Sequence, residues 1–177
     1  FQDDGITVFK FLGKDSIEWN IETKLPRLVV RNFKEFIAES KSNIFKGVRS
    51  DNVSSFLDEV APGFTAKVFR TYHATKVVRE DLERAKVTKN DSPFQKKYVA
   101  TMANLEAAKE CNHRRKLPSN WVDSLARMEE RLRILEGKDT GAGRTRAQEL
   151  RLRIELKKAT KDYNLNTSLK SYIDPRT

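Results

Sequence analysis

Residues 92–115 read SPFQKKYVATMANLEAAKECNHRR and predict a long helix with well-marked ends. Ser92 followed by Pro93 is typical of a helix N-cap with proline in the first turn. The face expected to lie inward carries Phe94, Tyr98, Thr101, Leu105 and Ala108. Asn112 tolerates the left-handed backbone found at helix ends, so we expect the helix to end near it. His113 then lies just beyond the negative end of the helix dipole, where a histidine tends to hold its proton.

Near the amino terminus, residues 5–22 read GITVFKFLGKDSIEWNIE and alternate apolar with polar residues. Period-two alternation on both sides of a Gly-Lys-Asp centre predicts a β-hairpin. Gly13 supplies a permissive backbone for the reversal. Lys14 and Asp15 are therefore expected at the tip of a stiff element.

Three further helices are predicted between the hairpin and residue 92. Apolar residues recur at helical spacing from Arg27 to Lys41. A second helix runs from about Asp51 to Val60, with Ser50 as its cap, and a third begins at Thr65.

The helix that begins at Thr65 has two distinct sides. One stripe is formed by Phe64, Val68, Tyr72, Thr75 and Leu82. Arg70 lies roughly 200° round from Val68 at about 100° per residue and so faces away from that stripe. The neighbours of Arg70 are small or basic residues that would let a backbone or a phosphate come close, namely Ala66, Lys67, Ala74 and Val77.

After Pro118 the composition becomes strongly charged. A short heptad seam is formed by Trp121, Leu125, Met128, Leu132 and Leu135. GKDTGAG at residues 137–143 interrupts the pattern, and a second charged helix follows. Its inner face is either Ala147, Leu150 and Ile154 or the set Leu152, Leu156, Ala159 and Tyr163. Together these patterns predict an antiparallel helical hairpin, interpreted as a protruding arm, with a helix pair packed on the body as the alternative. The predicted fold is mainly α (α+β).

The charge balance favours a polyanionic partner. Lys and Arg number 35 against 25 Asp and Glu, which gives a formal charge of +10. Such an excess suits phosphate neutralisation and counterion release, although a basic solvated surface is the alternative. The lone Cys111 excludes an intrachain disulfide scaffold and favours a reducing, intracellular setting. No zinc-type Cys/His spacing and no membrane-length apolar run occur, so no membrane partner is expected, and the opening Phe1 suggests a fragment.

Four segments together resemble the catalytic domain of type IB DNA topoisomerases of the eukaryotic and archaeal branch. They are FLGKDSI (11–17), TAKVFRTYHAT (65–75), CNHRR (111–115) and SYIDPR (171–176), in that order. The resemblance implies a helical fold of the DNA breaking-rejoining type. It implies a catalytic core over residues 1–117, a linker arm over 118–164 and a C-terminal segment over 165–177 that carries the nucleophile.

The resemblance also implies a reaction and the residues for it. Tyr172 would attack a phosphodiester to form a 3′-phosphotyrosine, Arg70 and His113 would hold the phosphate oxygens, and Lys14 would protonate the departing 5′ oxygen. DNA contacts are expected from Lys67, Asp15 and Ser171. Neither a metal nor ATP is expected, because cationic side chains neutralise the phosphate and the linkage conserves the bond energy. The implied protein is an intracellular, DNA-associated monomer on duplex DNA, nuclear if eukaryotic or in the cytoplasm or nucleoid if archaeal.

The chain also departs from the family pattern. The family's second arginine, which precedes the hairpin, the amino-terminal clamp domains and the tail after Asp-Pro-Arg are not in the sequence, so we expect a part of a longer protein. Ser171 stands where eukaryotic members usually have asparagine, which puts sensitivity to camptothecin-type poisons in question. Two alternatives remain: a site-specific tyrosine recombinase, and a non-catalytic basic helical DNA-binding or scaffold protein.

Overall fold

The computed structural model describes residues 6–13, 16, 18–40, 43–137 and 140–177. The chain divides into two compact units, Phe1–Phe64 and Thr65–Thr177. Lys14 and Asp15, the predicted hairpin tip, lie outside the described residues. The division at residues 117 and 164 stays a prediction.

The first unit begins with the predicted hairpin. Strands β1 (Ile6–Leu12) and β2 (Glu18–Lys24) pair antiparallel, with Phe11 opposite Trp19. A side chain at Gly13 would collide with the indole of Trp19, and Gly13 does not adopt a positive φ. The glycine is therefore needed for the close approach of Trp19, and among the described residues of the turn a left-handed backbone occurs at Ser16 (φ 56°). The hairpin is confirmed, but its backbone reversal does not use Gly13 in the predicted way.

Two helices follow the hairpin in the described part of the first unit. They are α1 (Arg27–Glu39) and α2 (Ser50–Val60). The prediction of Ser50 as a cap is wrong, because Ser50 is already helical and Arg49 takes the cap position. The backbone N–H of Arg49 donates to the side-chain oxygen of Asn52 at 2.8 Å. The Phe33 ring contacts Phe9 and Phe45 edge-on, each with ring centroids 5.7 Å apart.

The second unit contains five described helices. In chain order they are α3 (Ala66–Ala85), α4 (Pro93–Glu110), α5 (Trp121–Glu136), α6 (Gly141–Ala159) and α7 (Leu165–Ser171). Helix α4 packs against α3, α6 and α7 and is therefore the centre of the unit. The hydroxyl of Ser92 accepts the N–H of Gln95 at 3.1 Å, which confirms the predicted cap. The prediction of a mainly helical fold is confirmed.

Small residues line the contact between α3 and α4. The buried cluster consists of Ala74, Val78, Ala103, Ala107 and Cys111. By contrast, Val68 and Tyr72 of the predicted stripe on α3 are 38% and 63% exposed. The buried face therefore includes Ala74, which the sequence places on the side of Arg70. Alanine at a helix contact lets two backbones approach closely, so bulk alone does not identify this face.

Helices α5 and α6 form the predicted pair. The heptad residues of α5 are half-buried, and α6 buries Ala147, Leu150 and Ile154, the first of its two predicted faces. Helix α6 begins at Gly141, within the predicted glycine-rich break, with Thr140 as its cap.

Helix α6 also contacts α4. The Tyr98 hydroxyl donates to Glu155 at 2.5 Å, and Arg153 lies 5.1 Å from the Phe94 ring centroid. For α6, the alternative of a helix packed on the body therefore describes the structure better than a protruding arm. Within the described part of the chain, no helix is both long enough and apolar enough to cross a membrane.

Candidate active site

The carboxyl end of α4 places His113. Asn112 has φ 49°, and its N–H donates to the Lys109 carbonyl at 2.9 Å. The N–H of His113 reaches back to the Ala108 carbonyl at 2.8 Å. These two bonds form a Schellman motif with Asn112 in the left-handed position, as the sequence predicts. The half-buried imidazole is thereby fixed directly beyond the last turn of α4.

The short helix α7 places Tyr172. The Asn104 side chain, which is buried in α4, donates to the Leu165 carbonyl at 3.1 Å. The N–H of Asn164 donates to the His113 carbonyl at 2.6 Å, so the start of α7 is bound to the histidine segment. At its other end, Tyr172 is the residue that follows the last helical position and donates its N–H to the Ser168 carbonyl at 3.0 Å.

Three nitrogen-bearing side chains surround the Tyr172 ring. The guanidinium carbon of Arg70 lies 4.8 Å from the ring centroid and the ammonium of Lys67 lies 5.8 Å from it. The His113 ring is 5.0 Å away and tilted by 38°. Tyr172 is half-buried against the alanine-rich cluster, whereas Arg70 and Lys67 are exposed. Tyr172 therefore packs against the core and also contacts cationic side chains.

Arg70 is anchored by a main-chain acceptor. Its Nη2 donates to the Cys111 carbonyl at 2.8 Å and lies 3.5 Å from Nε2 of His113. A guanidinium has five N–H donors, so this anchor uses only part of its capacity. Burial raises the pKa of the Cys111 thiol, while the adjacent Arg70 partly opposes the shift. The thiol is thus neutral beside the arginine.

Thr75 links helix α3 to the segment that follows Tyr172. Its hydroxyl accepts the N–H of Asp174 at 3.0 Å and donates to the Tyr172 carbonyl at 3.4 Å. The Asp174 carboxylate is held in turn by Arg176, at 2.9 Å from Nε and 2.6 Å from Nη2. These hydrogen bonds hold the pKa of Asp174 well below its usual range. The tyrosine is therefore followed by a tight, charged turn.

The structure brings together four of the residues that the sequence singled out: Tyr172, Arg70, His113 and Lys67. Ser171 is exposed at the end of α7, next to the tyrosine. The positions of Lys14 and Asp15 relative to this cluster stay predictions, since neither is described. Sequence reasoning missed the anchoring carbonyl of Cys111 and the hydroxyl of Thr75, because neither contact has a local sequence signal. Among the described residues, no group of three or more His, Cys, Asp or Glu side chains could hold a metal ion.

Fold and site together define a basic, mainly helical protein with a tyrosine set between an arginine and a histidine. Residues 1–144 match the family model described as the catalytic core of eukaryotic DNA topoisomerase I. The chain belongs to this family. The matched range includes Arg70 and His113 and ends before Tyr172.

Three individual relatives match between 78% and 98% of this chain. The chain is 28% identical to DNA topoisomerase 1 of Drosophila melanogaster, over 98% of this chain and 20% of that protein. It is 31% identical to the mitochondrial DNA topoisomerase I of Pan troglodytes, over 97% of this chain and 34% of that protein. It is 36% identical to DNA topoisomerase 1 alpha of Arabidopsis thaliana, over 78% of this chain and 16% of that protein. The chain thus spans between about a sixth and a third of the length of these relatives.

Proposed function

We propose that this chain supplies the catalytic groups of a type IB DNA topoisomerase. The enzyme would relax supercoiled DNA by cutting one strand through a 3′-phosphotyrosine, letting the strand rotate and resealing it without ATP or metal. The observation that carries the proposal is the Arg70 guanidinium 4.8 Å from the Tyr172 ring, with His113 on the same ring. Membership of the topoisomerase I family supports it independently.

The cleavage step exchanges one phosphodiester bond for another. The phenolic oxygen of Tyr172 attacks phosphorus, the bond from phosphorus to the 5′ oxygen breaks, and the phenol proton passes to solvent. The 5′ oxygen takes up a proton, for which Lys14 is the proposed donor. One phosphate ester bond breaks and one forms, so their number is conserved and religation by the 5′ hydroxyl requires no energy source.

Arg70 and His113 are proposed to bind the phosphate oxygens. When His113 is protonated, its Nε2–H and the Arg70 Nη2 are both donors and cannot bond to each other across their 3.5 Å separation. An anionic oxygen between them would accept from both. Charge-assisted hydrogen bonds of this kind stabilise the charge that develops on the equatorial oxygens during phosphoryl transfer. The Cys111 carbonyl keeps the guanidinium in place before DNA arrives.

Duplex DNA is the proposed partner, bound by a monomer through its phosphates. The formal charge of +10 supports this, and Lys67 lies near the tyrosine on the exposed side of α3. We propose DNA contacts also for Ser171, Asp15 and Lys14. The proposed domains are a core over residues 1–117, a helical-hairpin linker over 118–164 and a nucleophile segment over 165–177, within an intracellular, DNA-associated protein.

Covalent trapping tests the proposal. The 177-residue chain is incubated with a duplex whose scissile strand ends a few nucleotides beyond the cleavage site. The short 5′-hydroxyl product then dissociates, and even a slow reaction accumulates a DNA–protein adduct visible on a denaturing gel. We expect an adduct with the wild type, none with Tyr172→Phe, and a loss of about 100-fold or more in rate with Arg70→Ala.

Tyr163→Phe is the matched control, because Arg114 lies 5.8 Å from that ring in a similar cation–aromatic contact. We expect it to form the adduct at the wild-type rate. An adduct that persists in Tyr172→Phe, or no adduct with the wild type, would contradict the proposal. DNA binding without any adduct would favour the non-catalytic alternative. Relaxation of a supercoiled plasmid in chelator without ATP, by a preparation that also traps, would exclude a recombinase that needs paired sites.

A further inference from the structure

We infer that Thr75 is a positioning residue for the nucleophile: its side-chain hydroxyl holds the main chain on both sides of Ile173 and so sets where the Tyr172 phenol lies. The inference rests on the proposed function, since it assigns a part in the reaction of Tyr172. It concerns a residue that touches neither the phosphate nor the reacting atoms.

The contacts of Thr75 span the segment after α7. Its Oγ1 accepts the N–H of Asp174 at 3.0 Å and donates its proton to the Tyr172 carbonyl at 3.4 Å. One hydroxyl thus binds a carbonyl and an N–H that are two residues apart in the chain. Thr75 is half-buried, so water does not freely replace these bonds.

The hydrogen bonds that return to α7 end at Ile173. The N–H groups of Tyr172 and Ile173 both donate to the Ser168 carbonyl, at 3.0 and 3.1 Å. Asp174 is the first residue beyond the reach of α7, and its N–H is taken by Thr75 from a different helix. Thr75 therefore binds the main chain at the first residue after the nucleophile that α7 no longer holds.

The same helix carries the phosphate-binding candidate. Arg70 and Thr75 are both in α3, five residues apart, and each contacts Tyr172, Arg70 at the ring and Thr75 at the backbone. Two contacts from one rigid element fix both the position and the orientation of the tyrosine relative to the guanidinium. Loss of the hydroxyl would loosen the backbone contact while leaving Arg70 in place.

The expected effect is on the rate of attack and not on DNA affinity. A misplacement of about 1 Å can cost about 100-fold in rate when a reaction depends on aligned groups. We therefore expect Thr75→Val, which keeps the β-branched shape and removes the hydroxyl, to form the covalent adduct about 10- to 100-fold more slowly at saturating DNA. Thr75→Ser keeps the hydroxyl and should stay close to the wild type.

The experiment compares four proteins in the trapping assay: the 177-residue wild type, Thr75→Val, Thr75→Ser and Thr101→Val. Thr101 in α4 is the control, because it is also a half-buried threonine and its hydroxyl donates to the Lys97 carbonyl at 2.7 Å within its own helix. The rate of adduct formation is measured at saturating DNA. The DNA dissociation constant of each protein is measured in a version that also carries Tyr172→Phe, so that no cleavage occurs during the binding experiment. Amide hydrogen exchange then follows the N–H of Asp174 and that of Tyr172.

The inference predicts slow adduct formation only in Thr75→Val, with an unchanged DNA dissociation constant. Relative to the wild type, hydrogen exchange should accelerate more at the Asp174 amide than at the Tyr172 amide. It is overturned if Thr75→Val forms the adduct at the wild-type rate. It is equally overturned if Thr75→Ser and Thr101→Val are slowed as much as Thr75→Val, because the effect is then general destabilisation. Failure of the wild type to form any adduct overturns the proposed function instead, and the inference with it.

Discussion

Two regions of the second unit are held together by different kinds of contact. One is the helical body, formed by α3, α4 and α7, and the other is the helix pair, formed by α5 and α6. In the body, Ala74, Ala103 and Ala107 are at most 1% exposed, and the backbones of α3 and α4 approach closely over them. In the helix pair, α5 contributes only half-buried residues, and ion pairs cross the rim from Glu136 to Arg151 and from Glu129 to Lys158. Close packing therefore fixes the elements that carry the site, whereas the helix pair depends partly on contacts that salt screens.

The largest effect is expected where a large side chain is removed from the body. Leu105 in α4 is 1% exposed, so Leu105→Ala should lower the free energy of unfolding by about 2–5 kcal/mol through lost burial and a cavity. Leu132→Ala in α5 removes the same atoms from a half-buried position and should cost about 1 kcal/mol. Urea unfolding of both variants measures the difference. Equal losses would show that the two regions are packed alike.

A smaller loss is expected from adding volume to the alanine contact. Ala107→Leu should lower the free energy of unfolding by about 1–3 kcal/mol, because the α3–α4 contact has no room for it. Ala100→Leu lies on the exposed side of the same helix and should change stability little. Thermal unfolding by circular dichroism compares them. An Ala107→Leu variant as stable as Ala100→Leu would contradict close packing at this contact.

The joint between the body and the helix pair should respond to alkaline pH. Burial first, and then the hydrogen bond to Glu155, raise the pKa of Tyr98 from its ordinary value of 10.0 to about 12. Because the folded state holds this proton more tightly, its stabilising contribution is complete below pH about 10 and is lost as pH rises through about 12.

Tyr98→Phe removes that titration. The urea midpoint of the wild type should therefore fall more between pH 10 and 12 than the midpoint of Tyr98→Phe, with lysine titration common to both proteins. Parallel pH profiles of the two proteins would mean that the joint does not use this hydrogen bond.

The smallest effect concerns the rim of the helix pair. A double-mutant cycle with Glu136→Gln and Arg151→Gln should give a coupling of about 0.2–1 kcal/mol that shrinks in high salt, because both side chains are exposed. The same salt series should leave the loss in Leu105→Ala unchanged. A salt-independent coupling would contradict the distinction between the two regions.

Local signals explain why much of the fold follows from the sequence. The strand alternation, the Ser92 cap, the left-handed Asn112 and the α5 seam all arise within a few neighbouring residues. The predicted apolar stripe on α3 did not identify the buried face, because α3 packs on α4 through alanine and not through its bulkier residues. Helix α7 was not predicted, since it is short and depends on Asn104 from another helix. For the site, the resemblance identified residue types, but the contacts of Arg70 with Cys111 and of Thr75 with Asp174 form only on folding.

The central claim is that Tyr172 is the residue that becomes bonded to DNA. The most direct test is mass spectrometry of the trapped adduct after digestion with trypsin and nuclease. Cleavage after Lys170 and Arg176 releases SYIDPR, residues 171–176, which contains Tyr172, while Tyr163 lies in the separate peptide 162–170. The account predicts a nucleotide phosphate on the tyrosine of peptide 171–176. A nucleotide on the other peptide, or no modified tyrosine at all, would contradict it.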